Sequence, residues 1–233
     1  MLQSMDFALP VVDDPYLQGR IACAHVLNNL YATGADVVDH VGLLFAVPLR
    51  MTEKERRVVF TRLMRGFVHA GREAGARVQG GQMLHNPWLA IGGMASTIAS
   101  RRADLIPLDA AIPGDVLVLT KPLGTRVALT TYSWMDRSRD RLARVRAIIN
   151  DDEVAKAFEK AVSVMTRLNK TAASLMRKFR AHAATDVAGY GILGHAQSLA
   201  RAQRFPVCLG FIDRESHCLI FDLSRSGVYL FIQ

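Results

Sequence analysis

The chain has 233 residues, 50% of them hydrophobic, and a formal net charge of +8 at neutral pH. Such a chain is globular with one or two domains, and no run of about 18 apolar residues is there to cross a bilayer. Cys23, Cys208 and Cys218 are an odd number without C-x-x-C spacing, which argues against a disulfide framework or a zinc knuckle. The opening MLQSMDFALP lacks a charged segment followed by an apolar one, so no secretory signal is read there. The expectation is a cytoplasmic protein with no membrane partner.

The arginine excess raises nucleic acid as a partner. Arg56, Arg57, Arg62, Arg65 and Arg72 fall on one expected helix, and Arg137, Arg139, Arg141, Arg144 and Arg146 crowd a second segment. Neither set is interleaved with aromatics or placed in a reader motif, so both are read as solvated helix faces and no nucleic acid is expected. An excess of positive charge also draws in an anionic small molecule such as ATP.

In chain order, Asp6 stands at the start of an apolar strand. Asp13-Asp14-Pro15 gives an acidic cap and a first-turn proline to a helix that runs through Ile21, Val26, Leu27 and Leu30 to Gly34. Val41 to Val47 reads as a buried strand. Thr52 and Glu55 form a capping box for a helix with Phe60, Leu63, Met64 and Phe67 at helical spacing, ending near Gly75. Arg77 to Gln79 and Leu89 to Ala99 read as strands. Pro113-Gly114-Asp115 is a turn before a strand at Val116 to Thr120, and Lys121 to Gly124 punctuate the entry to the next helix. Asp151 and Asp152 cap a long helix whose stripe from Val154 through Val162 and Leu175 to Phe179 marks one buried face. The mixed order indicates α+β or α/β architecture.

The segment from His182 to His195 concentrates the chemistry, because Asp186 precedes Gly189, Gly191 and Gly194 in a G-x-G-x-x-G spacing. Glycines let backbone approach a ligand, and the following helix offers an N-terminus to an anion. A carboxylate facing phosphate requires a cation between them, and Mg²⁺ suits hard oxygen donors. A dinucleotide site is the rival reading, with Asp213 about 20 residues on, as that fingerprint requires. Against it, Arg180 to Asp186 is small and polar where the preceding strand of such a site is apolar. Gly80-Gly81 before Gln82 reads either as an anion-binding nest or as an ordinary tight turn. Asp6 reads as a metal or ribose contact or as a solvated strand-end acid. Asp13 and Asp14 read as caps, and Cys23, within the first helix, as a small buried hydrophobe.

The strings PVVDDPYLQGRIACAHVLNNLYATG (Pro10 to Gly34), GGQMLHNPW (Gly80 to Trp88), PGDVLVLTKPLGT (Pro113 to Thr125) and ATDVAGYGILGHAQ (Ala184 to Gln197) resemble selenophosphate synthetase, or selenide, water dikinase, of the eukaryotic type. The resemblance covers roughly residues 5–211 in matching order and spacing. It implies a two-domain α+β fold of the aminoimidazole-ribonucleotide-synthetase-like (PurM-like) kind, an N-terminal domain that dimerises through its sheet, and ATP between the domains. The implied activity converts selenide, ATP and water to selenophosphate, AMP and phosphate, with Mg²⁺ organising the phosphates. On this resemblance Asp6, Gly80, Gly81, Gln82 and Met83 contact ATP, and Asp186 is a metal ligand.

Departures from the family pattern shape the remaining expectations. Ser4-Met5 stands where the family has Thr-Thr, Met83 replaces a threonine, Tyr190 a phenylalanine, and Asn29 a metal-binding aspartate. An amide still offers one neutral oxygen but removes a charge from a divalent-cation site. The resemblance places the family's catalytic Cys or selenocysteine and its lysine ahead of Met1, and residues 212–233 depart from it. The chain therefore reads as truncated at both ends: an ATP-binding and dimerisation domain at 1–114, a partial second domain at 115–211, and a divergent tail. The alternative to a selenide- and ATP-using enzyme is a degenerate paralogue or fragment that binds as a homodimer or beside an intact synthetase.

Overall fold

The computed structural model describes residues 1–101, 104–205, 208–212, 218–221 and 229–232. Strand β1 (Leu2–Ala8) leads into helix α1 (Pro15–Ala32), followed by β2 (His40–Pro48), α2 (Glu53–Ala74), β3 (Arg77–Asn86) and β4 (Ala90–Thr97). The first sheet has the order β1-β4-β2-β3, with β4 antiparallel to both β1 and β2 and with β2 parallel to β3. Both helices pack on one face of it.

Local chemistry sets the helix ends. The Asp14 side chain accepts from Tyr16 N–H while Pro15 opens α1, and the Gln18 amide oxygen accepts from Val11 and Val12 N–H, fixing the turn before it. Thr52 and Glu55 form the expected capping box on α2, and Gly75 ends it in the left-handed conformation at φ 78°. Alternation in β2 and β4 then sends Val41, Leu43, Ile91 and Ala95 toward the helices, where they meet Val26, Leu27 and Tyr31 of α1 and Leu63 and Phe67 of α2. Each large side chain buried there contributes about 1.5–3 kcal/mol. Met64, read as part of the buried stripe, is 41% exposed, since it lies at the edge of that face. The two helices cross at glycines: a Cβ on Gly19 would meet Leu63 O, and one on Gly66 would meet Tyr16 O.

The second part begins with the short strand β5 (Val116–Leu117) and helices α3 (Thr125–Arg137) and α4 (Arg139–Arg146). Next come α5 (Asp151–Thr166), α6 (Lys170–Lys178) and α7 (Gly191–Ala202). Strands β6 (Cys208–Ile212), β7 (Cys218–Phe221) and β8 (Tyr229–Ile232) join β5 in a sheet of order β5-β8-β6-β7. Part of the segment read as a divergent tail thus pairs with the second sheet.

Four sequence expectations are corrected. Val116 to Thr120 was expected as a strand, but only two residues pair. The long helix expected from Asp151 to Phe179 is two helices, because Arg167 turns to an extended conformation at ψ 129° and the chain restarts at Lys170. Leu175 and Phe179, read as its buried stripe, are consequently 46% and 74% exposed. The cap of α5 is Asn150, whose side chain accepts from Glu153 N–H, and Asp151 and Asp152 sit inside the first turn. Gly80 and Gly81 lie within β3 and form neither a nest nor a tight turn. Their φ angles of 70° and 151° sit where the register of β2 against β3 shifts, between Val41 and Leu43, so the glycines absorb a β-bulge.

Candidate functional site

Ser4 and Asp6 lie on the helix-facing side of β1, opposite α1. Ser4 is 6% exposed and its Oγ accepts a hydrogen bond from Asn29 Nδ2 at 3.1 Å. Both Asp6 oxygens are engaged: Oδ1 accepts from Phe7 N–H at 2.7 Å, and Oδ2 lies 2.9 Å from His25 Nε2. Sequence reasoning missed His25, although its place four residues before Asn29 on α1 puts both on one helical face. The pairing binds one Asp6 oxygen to an imidazole, both side chains being half-exposed.

Gly80 to Met83 occupy the opposite edge of the sheet. Asp6 pairs with Gly93, Gly93 with Leu43, and Leu43 with Gly81, so Asp6 and Gly81 share one row across four strands. Three strand spacings put them about 14 Å apart. The two motifs, far apart in sequence, thus flank one sheet. A Cβ on Gly81 would run into Leu43 O, whereas one on Gly80 meets nothing within 4 Å. Met83 is 54% exposed.

Asp186 arrives from the second part of the chain. Helix α6 docks on α1, the end of α2 and the loop after α1: Asn169 Nδ2 donates to Asn28 Oδ1 at 3.1 Å, Lys170 Nζ donates to Ala74 O at 2.9 Å, and Arg177 Nη1 pairs with Asp36 Oδ1 at 2.6 Å. Ala173 is fully buried in the core of the first part. From this docked helix the chain passes into the irregular segment 181–190, which carries Asp186, and then into α7. Gly191, the first residue of α7, has φ 67°, and Gly194 sits where a Cβ would meet Tyr190 Cβ at 2.6 Å. No side chain caps the N-terminus of α7, leaving backbone N–H groups for an anion. Asp213, the acid of the dinucleotide alternative, lies outside the described residues.

Two groups near these elements are perturbed. Lys121, on the loop before α3, is half-buried and donates to Arg167 O at 2.6 Å. Burial first, and the Arg167 charge second, push its ammonium down to about 8. Cys23 is fully buried and desolvation pushes its thiol up to about 12, so it behaves as the small hydrophobe expected of it.

No group of three or more His, Cys, Asp or Glu that would hold a metal ion occurs among the described residues. The Asp186 carboxylate has no hydrogen-bond or ion-pair partner among them, and Asn29 uses its amide nitrogen on Ser4, leaving its oxygen as a donor. Each of these oxygens suits Mg²⁺ that takes the rest of its coordination from phosphates and water.

Residues 1–98 match the family model described as AIR synthase related protein, N-terminal domain, and residues 113–207 match the corresponding C-terminal domain. The chain belongs to the AIR synthase related proteins, with the α+β fold expected of it. Within them it is similar to the selenide, water dikinases. It is 44% identical over 231 residues to Selenide, water dikinase 3 of Danio rerio, covering 99% of this chain and 51% of that protein. Against Selenide, water dikinase 2 of Homo sapiens the identity is 47% over 204 residues, covering 88% and 45%. The resemblance drawn from the four strings is borne out. The chain spans about half the length of the curated relatives it matches.

Solved structures agree on the fold. Thiamine monophosphate kinase from Aquifex aeolicus superposes with a TM-score of 0.70 at 15% identity, over 91% of this chain and 65% of that one. The hydrogenase maturation protein HypE in complex with ATP gives 0.62 at 15% identity, over 91% and 58%. No helix among the described residues is long and apolar enough to cross a membrane.

Proposed function

We propose that this chain forms the nucleotide-binding part of a selenide, water dikinase, in which selenide, ATP and water give selenophosphate, AMP and phosphate. The observation that carries the reading is 44% identity to such a protein over nearly the whole chain. In this reading Asp6 and the Gly80 to Met83 stretch contact ATP from the two edges of the first sheet. Asp186 and the Asn29 oxygen hold Mg²⁺ jointly with the phosphates, and bound Mg²⁺ supplies charge neutralisation of the phosphate oxygens. The family-model boundaries, 1–98 and 113–207, support the division into an N-terminal ATP-binding domain at 1–114 and a partial second domain from 115.

The same reading gives the outer face of the first sheet a partner. Met5, Phe7, Leu84 and Met94 lie on the face away from the helices and are 70%, 42%, 54% and 45% exposed. Met5 and Met94 are direct cross-strand partners, so the apolar surface is continuous there. A second copy, or an intact synthetase presenting the same face, covers it. Light scattering on the purified chain tests this, with Met94→Lys expected to yield the monomer.

A second reading rests on position 29, where an amide stands in place of the family's metal-binding aspartate, and on Asp6, which is paired with His25. The amide removes one negative charge from the cation site, and in this reading the chain acts by association while retaining nucleotide binding. Phosphate release from ATP with and without selenide separates the two. Selenide-dependent turnover by the chain alone supports the enzyme, and ATP binding without turnover supports the associating partner.

A further inference from the structure

The segment 181–190 has no regular structure, yet it is fixed on both sides of Asp186. Upstream, His182 Nδ1 lies 2.8 Å from Asp115 Oδ1 and 3.0 Å from Oδ2, while Asp115 Oδ2 also accepts from Ile112 N–H at 2.9 Å. Ala184 N–H donates to Pro107 O at 3.3 Å. Downstream, Ala188 N–H donates to His195 Nε2 at 3.0 Å. That geometry assigns an acceptor Nε2 to His195, with the ring proton on Nδ1.

The strand-side support is itself fastened. Gln203 accepts from Ala111 N–H at 2.9 Å and donates to Leu108 O at 2.7 Å, and Arg204 Nε pairs with Asp109 Oδ2 at 2.9 Å. Burial holds the loop only in part, since residues 183–186 are half-buried and Val187 is 44% exposed. Contacts of the two imidazoles, with the Ala184 N–H bond to Pro107 O, complete the placing, and the carboxylate between them has no partner among the described residues. A loop anchored on both sides of an unpartnered acid has the form of a preorganised ligand whose orientation depends on its supports.

We propose that His182, gripped by Asp115, and His195, gripping Ala188 N–H, are positioning residues that present the Asp186 carboxylate to the cation of a bound nucleotide. The inference rests on the assignment of Asp186 as a metal ligand. Neither histidine touches the nucleotide; each acts through the backbone of the loop.

The test uses the full chain with a non-hydrolysable ATP analogue and Mn²⁺, followed by electron paramagnetic resonance, with thermal midpoints measured alongside. Asp115→Ala and His195→Ala are expected to weaken Mn²⁺ binding about tenfold or more, as loss of ligand-orienting partners does, with nucleotide affinity in EDTA unchanged. Asp115→Asn and His195→Gln keep an acceptor at each contact and are expected to restore most of the Mn²⁺ affinity. If Asp186→Asn abolishes tight Mn²⁺ binding while both alanine variants bind as the parent does, the positioning role is overturned and the site assignment stands. If Asp186→Asn changes nothing, the assignment itself fails. Histidine ¹⁵N shifts of the unaltered chain give a second measurement that needs no alanine variant to fold. Shifts at His182 and His195 on adding Mg²⁺ and the analogue, lost in Asp186→Asn, support the proposal, and unmoved resonances overturn it.

Discussion

Asn28 Oδ1 accepts a hydrogen bond from Asn169 Nδ2 at 3.1 Å, joining helix α1 to the start of α6 across 141 positions of sequence. Asn169 Oδ1 in turn lies 3.4 Å from Thr120 Oγ1, so one amide ties the loop before α3, the start of α6 and the helix that carries Asn29. Replacing Asn169 with alanine leaves Asn28 without this partner at a half-buried contact. The expected cost is about 1–2 kcal/mol. It is read as faster amide exchange in α6, with α2 unaffected.

Asn29→Asp restores a carboxylate four residues from His25 and beside Asp186's expected cation. It is expected to strengthen Mg²⁺ binding in the presence of ATP, because a full negative charge replaces a neutral oxygen at a divalent-cation site. Calorimetric titration of both proteins checks this, and equal affinities refute the assigned role of position 29.

Gly66→Ala tests the crossing of α1 and α2. Its Cβ would fall on Tyr16 O, a backbone atom with no freedom to swing away. Overpacking of this kind costs about 1–3 kcal/mol or more, measured as a lowered denaturation midpoint. Gly80→Ala meets no atom within 4 Å, so its cost is confined to the left-handed φ of 70°. It is expected at about 1 kcal/mol.

Lys121 makes stability depend on pH with a defined sign. Its folded-state value of about 8 lies below its ordinary 10.5, so between those limits the unfolded chain holds more protons than the folded one. Stability from this group therefore rises with pH from about 8 to 10.5 and stays at its lower level below pH 8. The stability difference between the parent and Lys121→Gln is expected to move in the parent's favour across that window. Chemical denaturation at several pH values reads it, and a flat difference would refute the burial of the charged amine.

The readable features share a physical property: their partners lie within a few residues. Asp14 with Pro15, Thr52 with Glu55, and Gly34 and Gly75 as stops were legible because a cap or a left-handed residue is a local event. Even so, Asn150 was passed over for the neighbouring aspartates, since both residue types suit a cap and only φ and ψ distinguish the one outside the helix. Gly80 and Gly81 were read as a loop or nest because glycine signals positive φ without saying whether a strand continues through it. A bulge is defined by the partner strand, 38 residues away in the pairing of Leu43 with Gly81.

For the site, the strings around Asp6, Gly80 and Asp186 named the candidate residues for the proposed chemistry. Their surroundings came from long-range pairing: Asp6 with His25, Asn29 with Ser4, and His182 with Asp115. The sequence alone determined the class of the chain, the caps of the first two helices and the candidate ligands, because side-chain chemistry and capping are written in short windows. The tertiary structure decided that Asp6 and Gly81 share one row of a sheet and that two imidazoles fix the Asp186 loop, because strand register and helix docking bring together groups that no local interaction connects.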